Sequence, residues 1–173
     1  MIALTGTPGC GKTSVAGELR KRGYKVISLK DFAEMHGCAK KEGDEIVVDI
    51  EKLSKHDFDG IVEGHLSHLL KPKIAIVLRC NPLVIKERLL KRGWSYEKVM
   101  ENVEAELIDL ILVEALENCE EVYEIDTTEM SVEEVADAIE KILRFREGYE
   151  PGKVDWISKL GDRIEEVTRY GGL

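Results

Sequence analysis

The sequence predicts an α/β three-layer sandwich, with a five-stranded parallel sheet between helical layers and a small helical lid. Three observations support this. Short apolar runs alternate with segments of helical periodicity along the 173 residues, the order of units that winds a parallel sheet. The clearest run, IAIVL at 74–78, is continuously apolar, as a strand covered on both faces must be. The first run ends in a glycine-rich turn that leads into a helical pattern, which is how a crossover connection begins.

Ile2 to Thr5 reads as the first strand, and Lys12 to Arg22 as a helix with Val15, Ala16 and Leu19 on its inner face. Lys25 to Leu29 is the second strand. Asp31 to His36 is expected as a short helix with Asp31 as its N-cap, and Gly37 to Asp44 as a polar loop. Asp49 to Lys55 suits another short helix. Gly60 to Glu63, Lys73 to Arg79 and Glu121 to Ile125 complete the five strands, and a long helical pattern follows Ser95. Gly148, Pro151 and Gly152 break the pattern after Arg146. The main domain is therefore expected over 1–146, and 147–173 as a linker and C-terminal helix. In the tail, Val154, Ile157, Leu160, Ile164 and Val167 form an amphipathic stripe. This helix lies beyond the segment that carries the chemistry, so its removal is expected to spare the site if it serves a partner, and to lower both stability and turnover if it packs on the domain.

Composition narrows the function. At 43% hydrophobic, 6% aromatic and 34% charged, the chain buries a core and is neither disordered nor collagen-like. Its apolar runs fall far short of the roughly 20 residues that cross a bilayer, and the MIALTG start lacks the pattern of a secretory leader. A formal charge of −9 opposes indiscriminate phosphate-backbone binding and favours a basic partner, or simply keeps the surface solvated. Cys10, Cys38, Cys80 and Cys119 form no C-x-x-C pair, so reduced thiols and a cytoplasmic location are expected.

Gly6-Thr7-Pro8-Gly9-Cys10-Gly11-Lys12-Thr13 matches G-x4-G-K-[ST] between the first strand and the first helix. Inward-pointing amides there make an anion nest, and the positive end of the helix dipole reinforces it. Lys12 is expected on the β and γ phosphates of a nucleotide and Thr13 on magnesium, which defines a P-loop NTPase fold. Glu63 closes a strand, where ligands of open α/β sheets bind. It can hold magnesium through water or position a nucleophile, and His65 lies two residues on. His65 and His68, at i and i+3, share a helical face but lack a convincing third metal ligand. Arg79, Arg88 and Arg92 belong to a cationic segment suited to clamping transferring phosphates. Trp94 either stacks on a base or closes the lid against the core.

GTPGCGKT, the strand ending E-G-H and the phrase VLRCNPLVIKERLLKRGW together resemble adenylate kinase isoenzyme 6, the CINAP-type branch of the nucleoside monophosphate kinases, over Met1 to Arg146. The resemblance implies that Gly9, Cys10, Gly11, Lys12, Thr13 and Ser14 bind ATP, and that magnesium sits on Thr13 with Glu63 reaching it through water. It makes Lys12, Glu63, His65, Arg88 and Arg92 the catalytic set. Asp31 would meet AMP, and because Glu34 cannot neutralise an acceptor phosphate where the family has arginine, Lys30, Arg79 or another cation would do so. It further implies ATPase activity and binding to a basic small-subunit ribosomal protein and pre-ribosomal RNA during ribosome assembly. Glu63 stands where the family has Asp, and Lys30-Asp31-Phe32-Ala33-Glu34 stands where it has G-D-L-A-R. A nucleotide-dependent assembly ATPase and a P-loop kinase of another small metabolite are the alternatives.

Overall fold

A computed structural model describes residues 1–169. Its strands are β1 (Ile2–Gly6), β2 (Val26–Ser28), β3 (Ala39–Glu42), β4 (Glu45–Val48), β5 (Ile61–Glu63), β6 (Ile74–Arg79) and β7 (Glu121–Asp126). Its α-helices are α1 (Lys12–Lys21), α2 (Leu29–Met35), α3 (Ile50–Leu53), α4 (Pro82–Lys91), α5 (Tyr96–Leu107), α6 (Leu110–Asn118), α7 (Val132–Phe145) and α8 (Trp156–Leu160). Five strands form one parallel sheet in the order β2-β5-β1-β6-β7. The five expected strands are these five.

Side-chain alternation along the strands builds the three layers. Leu4, Ile76 and Leu78 pack with α1, α4, α5 and α7 on one face, while Ala3, Ala75 and Val77 meet Leu112 and Ala115 of α6 on the other. All six residues of β6 are buried, which explains its unbroken apolar run. Gly6 is required where β1 leaves the sheet. Its φ is 145°, and a Cβ there would lie 2.5 Å from the Leu78 carbonyl oxygen.

Four local details differ from the sequence reading. The polar loop expected over Gly37 to Asp44 is an antiparallel hairpin of β3 and β4 that turns at Gly43 with φ 62°. Both its strands are largely exposed, so no hydrophobic alternation marked them. The cap of α2 is Ser28, whose hydroxyl accepts from the Asp31 amide at 3.0 Å, because β2 runs into the helix without a linker; Asp31 is an exposed first-turn acid. The helical pattern after Ser95 breaks at Asp109, a left-handed residue with φ 59°, into α5 and α6.

The tail is the fourth. Its stripe is not one helix, since α8 gives way at Gly161 to a 3-10 helix, Gly161–Val167. Val154, Trp156, Leu160 and Val167 are buried in the main core, whereas Ile157 is 53% exposed. No helix among the described residues is long and apolar enough to cross a membrane.

Candidate active site

The loop between β1 and α1 has the backbone that an anion nest needs. Gly9 and Gly11 have φ of 95° and 87°, and no side chain caps the first turn of α1. The leading amides therefore face the cleft without a partner side chain, beside the positive end of the helix dipole. Lys12, only 7% exposed, folds back to donate its Nζ to the carbonyls of Gly6 at 2.6 Å and Thr7 at 3.1 Å. Burial lowers its pKa, a shift that Cys10, Glu63 and Glu106 oppose. Thr13 and Ser14 are exposed at the loop's end.

Glu63 ends β5 beside this loop. Burial raises its pKa, against the pull of Lys12 and Arg20. Gly64 follows where a Cβ would come within 2.8 Å of Leu29 Cβ, so the chain can pass over α2 only as glycine. His65 is exposed at the cleft. Partial desolvation and then the positive charges of Lys12 and Lys98 lower its pKa, so the imidazole is neutral at pH 7. His68 is a core residue: its Nδ1 pairs with the Thr5 hydroxyl and its Nε2 with Glu114, both at 2.8 Å. The two histidines therefore do not converge on a metal.

Three connected clefts run along the carboxyl ends of the strands. A cleft of about 330 Å³ lies over the loop, lined by Lys12, Thr13, Glu63, His65, Arg92 and Trp94. Glu63, His65 and Trp94 also border a larger cleft of about 670 Å³, whose other walls include Ser28, Lys30, the β4 residues Glu45 to Val48, and Lys98. On the opposite side, Gly11, Ser14 and Arg92 are shared with a cleft of about 230 Å³, which also takes in Gly9, Cys10, Arg88, Thr127 and Met130.

The sequence-predicted residues fall into two groups. Gly9, Gly11, Lys12, Thr13, Ser14, Glu63, His65 and Arg92 all line the central cleft. Arg88 lines the smaller cleft and donates to the Gly9 carbonyl at 2.8 Å, bracing the loop. Cys10 contributes backbone there, while its thiol is buried and its pKa raised by desolvation.

Asp31 and Arg79 do not join them. Asp31 lies off the wall that Ser28, Leu29 and Lys30 form. Arg79 is 1% exposed and donates to Glu106 and Glu124, each at 2.7 Å, and to Asp109. Its guanidinium is spent on two buried carboxylates and the partly exposed Asp109, and it lines none of the three clefts, so the phosphate and AMP contacts expected of it are corrected by its burial.

Sequence reading missed the β3–β4 wall and Lys98. The Lys98 ammonium lies 4.7 Å from the Trp94 ring centroid and 3.5 Å from Glu45 across the larger cleft. No local spacing marked Lys98, because Trp94 precedes the N-cap Ser95 and lies outside α5.

A parallel sheet in this order, with a glycine loop opening α1 under a cleft lined by cations, defines a P-loop phosphate-binding protein of the kinase fold. A family model described as "AAA domain" matches residues 2–109. A protein of Archaeoglobus fulgidus named "Putative adenylate kinase" is 63% identical over 98% of this chain and 98% of its own. Among solved structures, the YorR protein of Bacillus subtilis in complex with phosphorylated GDP superposes with a TM-score of 0.58 at 21% identity, covering 84% of this chain and 96% of that one. Shikimate kinase from Acinetobacter baumannii gives 0.51 at 18%, covering 84% and 93%. The chain belongs to the P-loop AAA-domain family and, within it, to the archaeal proteins that share the adenylate kinase name.

Proposed function

We propose that this protein is a nucleotide kinase of the adenylate kinase type, moving the γ-phosphoryl group of ATP to AMP to give two ADP. The observation that carries this is the position of Lys12 and the P-loop in a cleft opening on one side to a small pocket and on the other to a large one. A donor and an acceptor can thus meet over the loop. The name of the Archaeoglobus relative supports the choice of nucleotides.

In this reading Lys12 exchanges the Gly6 and Thr7 carbonyls for the β and γ phosphates, and the uncapped amides of α1 hold the remaining oxygens. Arg92 borders both the central and the donor-side clefts, where a guanidinium neutralises charge spreading over the transferring group. Arg88 acts through Gly9. An AMP phosphate is already ionised at neutral pH, so orientation and electrostatics carry the reaction without a strong base. Lys30 and Lys98 are the acceptor-side cations that replace Arg79.

The residues present fit magnesium. Thr13 offers a hydroxyl and Glu63 a carboxylate in one cleft, an all-oxygen set of the sparse kind that Mg²⁺ uses beside nucleotide phosphates, and the raised pKa of Glu63 is a cost a cation would offset. Magnesium would supply charge neutralisation of the phosphates there. Glu63 and His65 also suit the orientation of a water, so ATP hydrolysis accompanies transfer. The resemblance to isoenzyme 6 extends the reading to a cytoplasmic protein that binds a basic small-subunit ribosomal protein and pre-ribosomal RNA; the net charge of −9 favours the basic protein alone.

The test is ADP formation from ATP with each nucleoside monophosphate, with small alcohols and with water alone. AMP is expected to raise ADP production well above the water rate. A rate unchanged by every monophosphate would overturn the kinase reading in favour of an ATPase.

A further inference from the structure

The P-loop is held from behind by the C-terminal tail. Trp156 donates its indole Nε1–H to Glu106 Oε1 at 3.0 Å. The other oxygen of Glu106 accepts from the Thr7 hydroxyl at 2.5 Å, and the Thr7 carbonyl accepts from Lys12 Nζ at 3.1 Å. Three hydrogen bonds therefore lead from the tail to the loop lysine. All four residues are buried: Trp156 and Glu106 are 2% exposed, Thr7 1% and Lys12 7%.

The tail is itself anchored to the sheet. Glu124 on β7 accepts at Oε1 from the backbone amides of Gly152 and Lys153 at 3.1 Å and of Val154 at 3.2 Å. Its Oε2 accepts from Arg79, whose Nε reaches Glu106 Oε1 at 2.7 Å. Arg79, Trp156 and the Cys80 amide thus all converge on Glu106 Oε1, leaving Oε2 turned toward Thr7. A ring that only filled space would need no donor. Here the donor meets the same carboxylate that holds the loop.

We propose that Trp156 is a positioning residue, which through Glu106 fixes Thr7 and so holds the P-loop in its phosphate-binding shape. Of the two roles the sequence leaves open for the tail, the core takes up the packing one, and these bonds carry it as far as the P-loop. The proposal rests on the loop being the donor-phosphate site, as in the proposed function, and not on the identity of the acceptor. Without the indole donor a buried carboxylate reorients toward its remaining partners, Thr7 follows, and the loop backbone at Thr7 loses its phosphate-binding shape.

Trp156→Phe keeps an aromatic ring and removes the N–H, and Thr7→Val keeps the shape and removes the hydroxyl. Each is expected to lower kcat about threefold to tenfold, short of the ~100-fold that a misplacement near 1 Å can cost, with acceptor KM within about twofold. Because both cut one path, the double variant should fall no more than about twofold below the weaker single one. Melting temperatures are measured alongside. A lower Tm with kcat and ATP affinity within about twofold of wild type would overturn the proposal, as would full multiplication of the two single effects. If Trp156→Phe does not fold, site-specific replacement of Trp156 by its benzothiophene analogue, with sulfur in place of N–H, gives the same readout. Lys12→Ala separates the two levels. Wild-type turnover there defeats the phosphate-site reading, while a dead Lys12→Ala beside an unaffected Trp156→Phe defeats only the tail's role.

Discussion

Arg79 and Arg92 lie at the two ends of one cationic stretch of sequence, yet the fold gives them opposite work. Arg79 ends the central strand β6 and is surrounded by Glu106, Glu124 and Asp109. Arg92 ends α4 on the solvent side and lines the clefts over the loop. One guanidinium neutralises Glu106 and Glu124 in the interior and Asp109 at its edge, and the other borders the open clefts, where the proposed function gives it a ligand's phosphates. A cation in a sequence is a candidate for phosphate only if the fold does not bury it against carboxylates.

The largest expected effect breaks the first half of this comparison. Arg79→Met leaves three carboxylates without their shared cation, and removing one partner of a buried ion pair costs about 3–5 kcal/mol, on the order of 10 °C in Tm for a chain of this size. Thermal melting checks this. A variant that melts like wild type and loses only AMP binding would restore Arg79 to the site.

Lys12→Ala comes next, with a loss of about 10²–10³ in kcat from one missing charge-assisted donor in a protein that still folds. Arg92→Ala is expected to lower kcat roughly a hundredfold with Tm nearly unchanged, the mirror image of Arg79→Met. Single-turnover kinetics beside melting curves distinguish the pair. Equal losses of stability in both would erase the comparison.

Glu63→Gln should lower turnover about tenfold with little change in binding of a fluorescent ATP analogue, since it alters the geometry of transfer more than ground-state affinity. The same residue predicts a pH dependence. As pH falls, Glu63 is neutralised at a pKa above its ordinary 4.5, and His65 gains a proton only below its ordinary 6.5. The acid limb of kcat should therefore contain a carboxylate component centred above pH 4.5 and an imidazole component centred below pH 6.5, and in Glu63→Gln the first of these should vanish. A limb unchanged by both Glu63→Gln and His65→Ala would place the titrating group elsewhere.

The smallest effect is on the acceptor side. Lys98→Ala should raise the acceptor's KM about fivefold to tenfold while kcat and the KM for ATP hold, the signature of lost uniform binding. Removing Glu45, its partner across the large cleft, should act in the opposite sense. An unchanged KM in Lys98→Ala would leave Lys30 as the acceptor cation, which Lys30→Ala then tests.

What the sequence determined by itself was whatever local order and spacing decide. The apolar runs marked all five strands of the main sheet, because strands covered on both faces must be apolar throughout. G-x4-G-K-T marked the glycine loop that opens α1 under the central cleft, because such a loop is made of consecutive backbone. Glu63 and His65 were legible because a strand end beside that loop is where the sheet opens.

Tertiary structure alone decided the rest. The β3–β4 hairpin carries too little buried surface to show a pattern, so only its docked position reveals it as a wall of the large cleft. Arg79 could be assigned only when residues distant in sequence, Glu106 and Glu124, were seen around it. The bonds from Trp156 through Glu106 to Thr7 have no sequence signature, because a hydrogen bond between side chains far apart in the chain depends on three-dimensional aim, which neither spacing nor composition records.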